Sequence, residues 1–192
     1  MSEFWLYLKL GLTHVLDWKA YDHVLFLIVL IAAYTFSNWQ RILVLVSVFT
    51  LGHTLSLFLA SFELISINKN LVEFLIPLTI LIAALYNIMT SGKAKNKSRN
   101  SILYGITLFF GLIHGLGFAS FFIHINDEGH LLPLLEFALG IEAAQIVVVF
   151  IVLVLAFIGQ FILRFNKRDW ILIVSSVVIG MVIPMLVENS VF

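Results

Sequence analysis

The chain has 192 residues, of which 61% are hydrophobic and only 11% are charged. A soluble domain is roughly half apolar and a quarter charged, so this composition excludes a soluble globular protein and indicates an integral membrane protein. The 11 basic residues equal the 11 acidic ones, which leaves no basic excess for nucleic acid. Cysteine is absent, which excludes disulfides, thiolate metal ligands and a cysteine nucleophile.

The N-terminal segment, residues 1–17, comes before the first long apolar run. It has an acid before any base and no small-residue cleavage site, so we do not expect a removable signal peptide. The segment is too short to cross a bilayer, and Trp5, Tyr7 and Lys9 suit a helix that lies at the membrane interface. A short seventh span is the alternative.

Six apolar runs follow, with lengths close to the roughly 20 residues that a helical crossing needs. They lack the short alternating segments of an outer-membrane barrel. The sequence therefore predicts an all-α fold, a polytopic helical membrane bundle that forms one integral membrane domain. The predicted spans are residues 21–36, 42–61, 71–90, 102–123, 131–163 and 170–187 of a domain that covers residues 1–192.

The charges of the loops predict how the bundle is oriented. The loops at 91–100 and 164–170 are basic, whereas the loop at 124–130 is acidic. Cytoplasmic loops carry an excess of lysine and arginine, so the two basic loops are expected in the cytoplasm. Counting spans from them places both chain termini outside.

Ionisable side chains are rare in the predicted spans, and several lie at similar heights. Such groups are costly in hydrocarbon, and they usually face the bundle interior, where they pair or mark an ion pathway. At about 1.5 Å per residue from the outer end of each span, His53, His114 and Glu142 lie about 12 to 16 Å deep. Asp22 and His23 open the first span. We expect these side chains to meet in the outer half of the bilayer.

His14 can join this group only if the helix breaks after it. At about 100° per residue, His14 and His23 would lie on opposite sides of one continuous helix. A break at residues 17–20 would let the N-terminal segment fold over the group as a lid or a first coordinating station. Asp17, inside that break, suits a helix cap and a metal ligand equally well.

Imidazole and carboxylate donors without sulfur suit Ni²⁺, Co²⁺, Zn²⁺ or Fe²⁺ and argue against Cu(I). Two carboxylates would also compensate the charge of a divalent ion in a low dielectric. The ligands predicted from the residues alone are Asp22, His23, His53, His114 and Glu142. The residues predicted to support these ligands or to line a pathway are Asp17, Tyr21, Thr50, Glu73, Asn87 and Gln145.

Each of these residues also has a purely structural interpretation. A lone histidine in a span is more often a hydrogen-bonding partner between helices than a ligand, and Glu73 is as well explained by a side chain that reaches the surface. His124 and His130 lie in a polar loop, where we expect them to be solvated. The metal hypothesis therefore depends on several donors being brought together.

Four segments of the chain resemble the HupE/UreJ family of bacterial membrane proteins, small polytopic proteins linked with nickel supply to hydrogenase and urease. The segments are GLTHVLDWKAYDHVLFLI, FTLGHTLSL, FFGLIHGLGFAS and FALGIEAAQI. The first motif reads H-x7-D-H here, where better-described members have H-P-x-x-G-x-D-H, so the resemblance is to a divergent branch. It implies a multi-pass protein of the bacterial inner membrane, in which the loop charges place both termini on the periplasmic side. It also implies that the family motifs contain His14, Asp22 and His23, then His53, then His114, and finally Glu142.

Two functions fit these residues. One is a permease for a divalent transition metal of the nickel or cobalt type, which needs inner-half polar groups such as Tyr34, Asn87 and Gln145. The other is a metal-dependent hydrolase that acts on a lipid or amphipathic substrate, with Glu142 or Asp17 as general base. A sensor that only binds metal ranks third. The expected partners are membrane lipid, a metal ion and, for a permease with so few spans, a second copy of the chain.

Overall fold

The computed structural model describes residues 3–18, 21–65, 68–92, 99–126 and 131–190, with side chains omitted for 99–102. The described residues are helical, with no strand. In chain order the helices are α1 (Glu3–Leu16), α2 (Asp22–Ile31), α3 (Trp39–Ser61), α4 (Lys69–Thr90), α5 (Arg99–Ile125), α6 (Leu131–Phe157) and α7 (Lys167–Glu188). A 3-10 turn, Phe36–Asn38, precedes α3, and a π-helical turn, Ile158–Ile162, extends α6.

Five of these helices are long and apolar enough to cross a membrane. They are α3 with its preceding turn, α4, α5, α6 with its π-helical turn, and α7. The predicted helical membrane bundle is therefore confirmed. The side of the membrane on which each loop and terminus lies stays a prediction.

The first predicted span, residues 21–36, differs from the structure. Its helix, α2, covers only Asp22–Ile31, which is about 15 Å of helix at 1.5 Å per residue and half a bilayer core. The helix stops early because its end has other hydrogen-bond partners: Asn87 Nδ2 donates to the carbonyl of Val29 at 2.7 Å. Thr35 then forms a capping box that starts the turn before α3.

The N-terminal helix α1, predicted to lie at the membrane interface or to form a short seventh span, packs against the bundle, and its depth in the membrane stays a prediction. It packs lengthwise against the first half of α6, where Gly11 meets Gly140. A Cβ atom on Gly11 would overlap the carbonyl oxygen of Phe137, so the two helices touch backbone to backbone. Tyr7 Oη donates to the carbonyl of Ile125 at 2.9 Å. The exposed Trp5, which suggested the interface, lies on the opposite face from these contacts.

A second close helix pair, α3 and α5, positions two of the histidines. A Cβ on Gly111 would overlap the backbone of α3, and a Cβ on Gly115 would overlap both the Ser56 hydroxyl and the carbonyl of His53. Small residues four positions apart allow this approach, as in other membrane helix pairs. His53 and His114 therefore lie at one packed interface rather than on separate surfaces.

The α1–α6 contact can be tested by giving its glycine a side chain. Gly11→Ala should lower the free energy of unfolding by about 1–3 kcal/mol because the added methyl group meets backbone atoms. Gly180→Ala is the matched control, because no atom of the described residues lies within 4 Å of a Cβ at that position. The control should be neutral or stabilised by up to about 1 kcal/mol, the ordinary gain when alanine replaces glycine in a helix. Denaturant unfolding in detergent, followed by circular dichroism, gives both values, and equal stability of the two variants would contradict the packing described.

Candidate metal centre

Four histidines from four helices lie side by side in the bundle. The ring centroid of His23 on α2 lies 4.7 Å from that of His14 on α1, 5.6 Å from that of His53 on α3, and 5.2 Å from that of His114 on α5. His14 and His53 are also 5.6 Å apart. We call these four residues the histidine cluster. The histidine cluster contains every histidine that was predicted to be a metal ligand.

The break between α1 and α2 is what allows His14 to reach the cluster. The sequence predicts a break near 17–20, and the structure confirms it, because α1 ends at Leu16 and α2 begins at Asp22. Two rings that one continuous helix would hold on opposite sides are therefore in contact.

The cluster is buried, but its ring nitrogens are not satisfied. His23, His53 and His114 are 2%, 0% and 1% exposed. Among the described residues, Nε2 of all four histidines has no hydrogen-bond partner, and Nδ1 of His53 has none either. A buried polar atom without a partner costs roughly 1–3 kcal/mol. Histidines buried only for packing would have both ring nitrogens satisfied, so the unpartnered Nε2 atoms indicate a binding site.

Two of the rings are held with Nε2 as the available nitrogen. Asp22 Oδ1 lies 2.9 Å from His23 Nδ1 and also accepts from the His23 backbone N–H at 2.8 Å. A carboxylate only accepts, so His23 Nδ1 donates and its Nε2 keeps a lone pair. His114 Nδ1 donates in the same way to the carbonyl of Phe110 at 2.9 Å. A histidine that ligates a metal usually donates its other ring nitrogen to a carboxylate or a carbonyl, as these two do.

The spacing of the donors fits a metal ion after a small closure. One nitrogen from each of His14, His23 and His53 lies within 4.8 Å of the other two. Nitrogens bound to one tetrahedral zinc ion are about 3.4 Å apart, since each bond is about 2.0–2.1 Å. The most widely separated nitrogens must therefore close in by up to about 1.4 Å, which side-chain rotation supplies. Asp22 is hydrogen-bonded to His23 and is not among these three donors. The atoms grouped there to bind a metal are therefore imidazole nitrogens.

Phenylalanine rings enclose the cluster. Phe26, Phe49 and Phe110 each lie about one helical turn from a cluster histidine, and all three are buried. The centroids of Phe26 and Phe49 are 4.9 Å apart and those of Phe26 and Phe110 are 5.5 Å apart. We call these three residues the aromatic layer. It separates the cluster from the apolar half of the bundle into which α2 runs, so water is excluded on that side.

Glu142, predicted as a ligand, lies apart from the cluster. Its carboxylate accepts a hydrogen bond from the Ser47 hydroxyl at the outer edge of the α3–α6 contact. Thr50 donates to Gln145 Oε1 at 2.8 Å beside this pair, and Gln145 is fully buried. Equal depth suggested a shared site, but depth alone does not say which face of α6 a side chain occupies.

The other predicted supporting residues have separate places in the structure. Tyr21 is the residue before α2, and Asn87 binds the end of that helix. Glu73 pairs with Lys69 at 3.5 Å on the exposed surface of α4, away from the cluster. Asp17 lines an open pocket beside His14.

Three residues outside the predicted site remain: His124, His130 and Glu136. His124 is exposed, as predicted, with Nδ1 bonded to the carbonyl of Ser120, while His130 lies outside the described residues. Sequence reasoning missed Glu136, which is only 7% exposed and whose Oε2 has no hydrogen-bond partner among the described residues. Glu136 precedes Gly140 by four residues and so lies on the same face of α6, the face that meets α1. That spacing was the signal that could have predicted its burial.

The comparisons with known proteins identify the family of the chain. A family model described as HupE / UreJ protein matches residues 1–189. The chain belongs to the HupE/UreJ family. Neither a curated protein nor a solved structure matches it. HupE/UreJ membership implies a bacterial membrane protein that handles metal ions, and all four histidines of the cluster lie in the matched residues.

The different positions of Asp22 and Glu142 give a direct test of the site. Asp22→Ala removes the acceptor that orients His23 and should weaken metal binding by about 10–100-fold, the usual effect of losing such a partner. Glu142→Gln is the control carboxylate change and should leave the affinity unchanged. Calorimetric titration of purified protein with Ni²⁺ and Zn²⁺ measures both, and a larger loss in Glu142→Gln would show that the ion binds elsewhere.

Proposed function

We propose that this HupE/UreJ protein binds a divalent transition metal ion at the histidine cluster and carries it across the membrane. The observation that supports the proposal most strongly is a set of buried imidazole nitrogens from α1, α2, α3 and α5 that have no hydrogen-bond partner in the described part of the chain. Four helices must be precisely packed to hold these groups together. Leaving these nitrogens without hydrogen bonds destabilises the fold unless they bind an ion during the protein's function.

The donor atoms favour particular ions. Neutral imidazole suits Ni²⁺, Co²⁺, Zn²⁺ and Fe²⁺, whereas Mg²⁺ and Ca²⁺ prefer oxygen. The chain has no cysteine to favour Cu(I). Family membership favours nickel or cobalt within this group.

The charge of the site favours an ion that is released again. Asp22 supplies a negative charge through its hydrogen bond to His23, while Glu142 is occupied with Ser47. A divalent ion in the cluster would therefore keep part of its charge uncompensated in a low-dielectric surrounding. Such a site holds its ion less firmly than a permanent structural site, as transport requires.

The aromatic layer sets a condition for transport. Phe26 and Phe49 are stacked on each other directly beside His23 and His114. Both rings are buried, so they leave no open path for an ion between them. An ion can leave in that direction only when these rings separate. A permease with this structure would be closed on the side of the aromatic layer.

A metal-dependent hydrolase is the second candidate. The specific observation in its favour is that His23 is oriented by Asp22, because catalytic zinc sites combine three protein ligands with such an oriented histidine. A hydrolase would need no opening of the aromatic layer. Transport and catalysis therefore differ in whether the ion moves.

Metal uptake into proteoliposomes tests the proposed function. Reconstituted protein should accumulate radioactive Ni²⁺ or Co²⁺ inside the vesicles, and His53→Ala should abolish this flux because it removes a fully buried donor. Glu73→Gln, which changes an exposed surface pair, is the control and should transport at the normal rate. Circular dichroism establishes that both variants are folded.

The same experiment identifies the alternative. Tight, stoichiometric metal retention without flux, combined with hydrolysis of a lipid ester, would contradict transport and support the hydrolase. Flux that persists in folded His53→Ala would contradict a role for the histidine cluster.

A further inference from the structure

An open pocket of about 610 Å³ lies between the second half of α1 and the end of α5. Its lining includes Thr13, His14, Asp17, Trp18 and Phe118. Trp18 is 92% exposed at its edge. Of the four cluster histidines, His14 is the one that also lines this pocket. One side chain therefore belongs both to an accessible pocket and to the buried site.

We propose that this pocket is the entrance through which a hydrated divalent metal ion reaches the histidine cluster, and that His14 is the ligand that admits it. The proposal rests on the proposed function, since it assumes that the cluster binds a metal ion. It adds the direction from which the ion arrives and the order in which its ligands engage.

The size of the pocket suits an ion that still carries water. Six water molecules take up about 180 Å³, because the share of each in the liquid is about 30 Å³. A pocket of about 610 Å³ holds such an ion with room for the side chains to move. The cluster itself is enclosed by rings, so the ion must lose its water between the pocket and the cluster.

The polar groups of the pocket favour a cation. Thr13 Oγ1 donates to the carbonyls of Lys9 and Leu10, so its oxygen keeps lone pairs for a cation. Asp17 follows the end of α1 directly and brings a carboxylate to the pocket. The last carbonyl oxygens of a helix lack partners within the helix and carry its partial negative charge. These oxygen donors precede the nitrogen donors on the path inward.

The geometry of His14 fits a ligand that moves. Its ring packs on Phe118 with centroids 4.0 Å apart, and its buried Nε2 has no hydrogen-bond partner among the described residues. By contrast, His23 and His114 are fixed by hydrogen bonds through Nδ1. The donors must close in to hold an ion, and His14 is the ring on the pocket side. The aromatic layer closes the opposite side, which leaves the pocket as the way in.

A substitution that fills the pocket can show whether the metal ion enters there without changing how tightly the histidine cluster binds it. Leu16→Trp places a larger side chain in the pocket lining without removing a donor. It should slow association of Ni²⁺ or Zn²⁺ with the purified full-length protein at least tenfold in stopped-flow measurements. Dissociation should slow by the same factor, so the equilibrium affinity stays the same. Leu155→Trp on the exposed face of α6 is the control and should change neither rate.

Cysteine labelling checks the pocket independently of any effect on folding. The natural chain has no cysteine, so a single Thr13→Cys provides the only thiol. It should react with a water-soluble maleimide, whereas Leu155→Cys in the apolar face should react only with a lipid-soluble one. Reaction of both positions only with the lipid-soluble reagent would show that the pocket holds lipid and would overturn the proposal.

The outcomes distinguish this proposal from the function on which it rests. If the natural chain binds metal but folded Leu16→Trp associates at the normal rate, the entrance is wrong and the metal site stands. If the natural chain does not bind Ni²⁺, Co²⁺ or Zn²⁺, both proposals fall. Slow association with unchanged affinity, together with water-accessible Thr13→Cys, supports the entrance.

Discussion

One costly arrangement constrains the whole structure: several imidazole nitrogens are buried without a hydrogen-bond partner among the residues that the structure describes. Each such atom costs roughly 1–3 kcal/mol, a substantial part of the 5–15 kcal/mol that stabilises a typical protein. The close helix pairs hold the arrangement in place: glycines let α1 approach α6 and α3 approach α5, and those contacts place His14, His53 and His114. A bound ligand that coordinates these nitrogens would offset the cost of burying them.

The broken first helix gives the bundle its particular site. A continuous helix would place His14 and His23 on opposite sides, and the break turns them toward each other. Discontinuous helices build the ion sites of many membrane transporters, because helix ends and unwound backbone supply polar groups where water is scarce. Here the end of α1 and the start of α2 bring one carboxylate to an open pocket and another to a buried histidine. The break between α1 and α2 thus links the open pocket to the buried histidine cluster.

Much of this was predictable from the sequence. The apolar runs gave the long helices, and the i, i+3 spacing of Thr50, His53 and Ser56 gave the buried face of α3, since all three are buried. The positions of Glu142 and α1 were not predictable in the same way. The rotation of α6 depends on its contacts with α1 and α3, and a hydrogen bond to Ser47 settled the place of Glu142. For α1 the sequence left an interfacial helix and a short span both open, because the contact that decides its packing involves Gly11, whose partner lies more than a hundred residues away.

X-ray absorption spectroscopy of the metal-loaded protein tests the central claim most directly. If the histidine cluster is the metal site, zinc-loaded protein should show at least three imidazole nitrogens at about 2.0–2.1 Å, with no sulfur. That imidazole signal should disappear when His23 and His53 are both replaced by alanine. Coordination by oxygen alone, or an unchanged spectrum after the double substitution, would show that the ion binds elsewhere and that the buried nitrogens have another purpose.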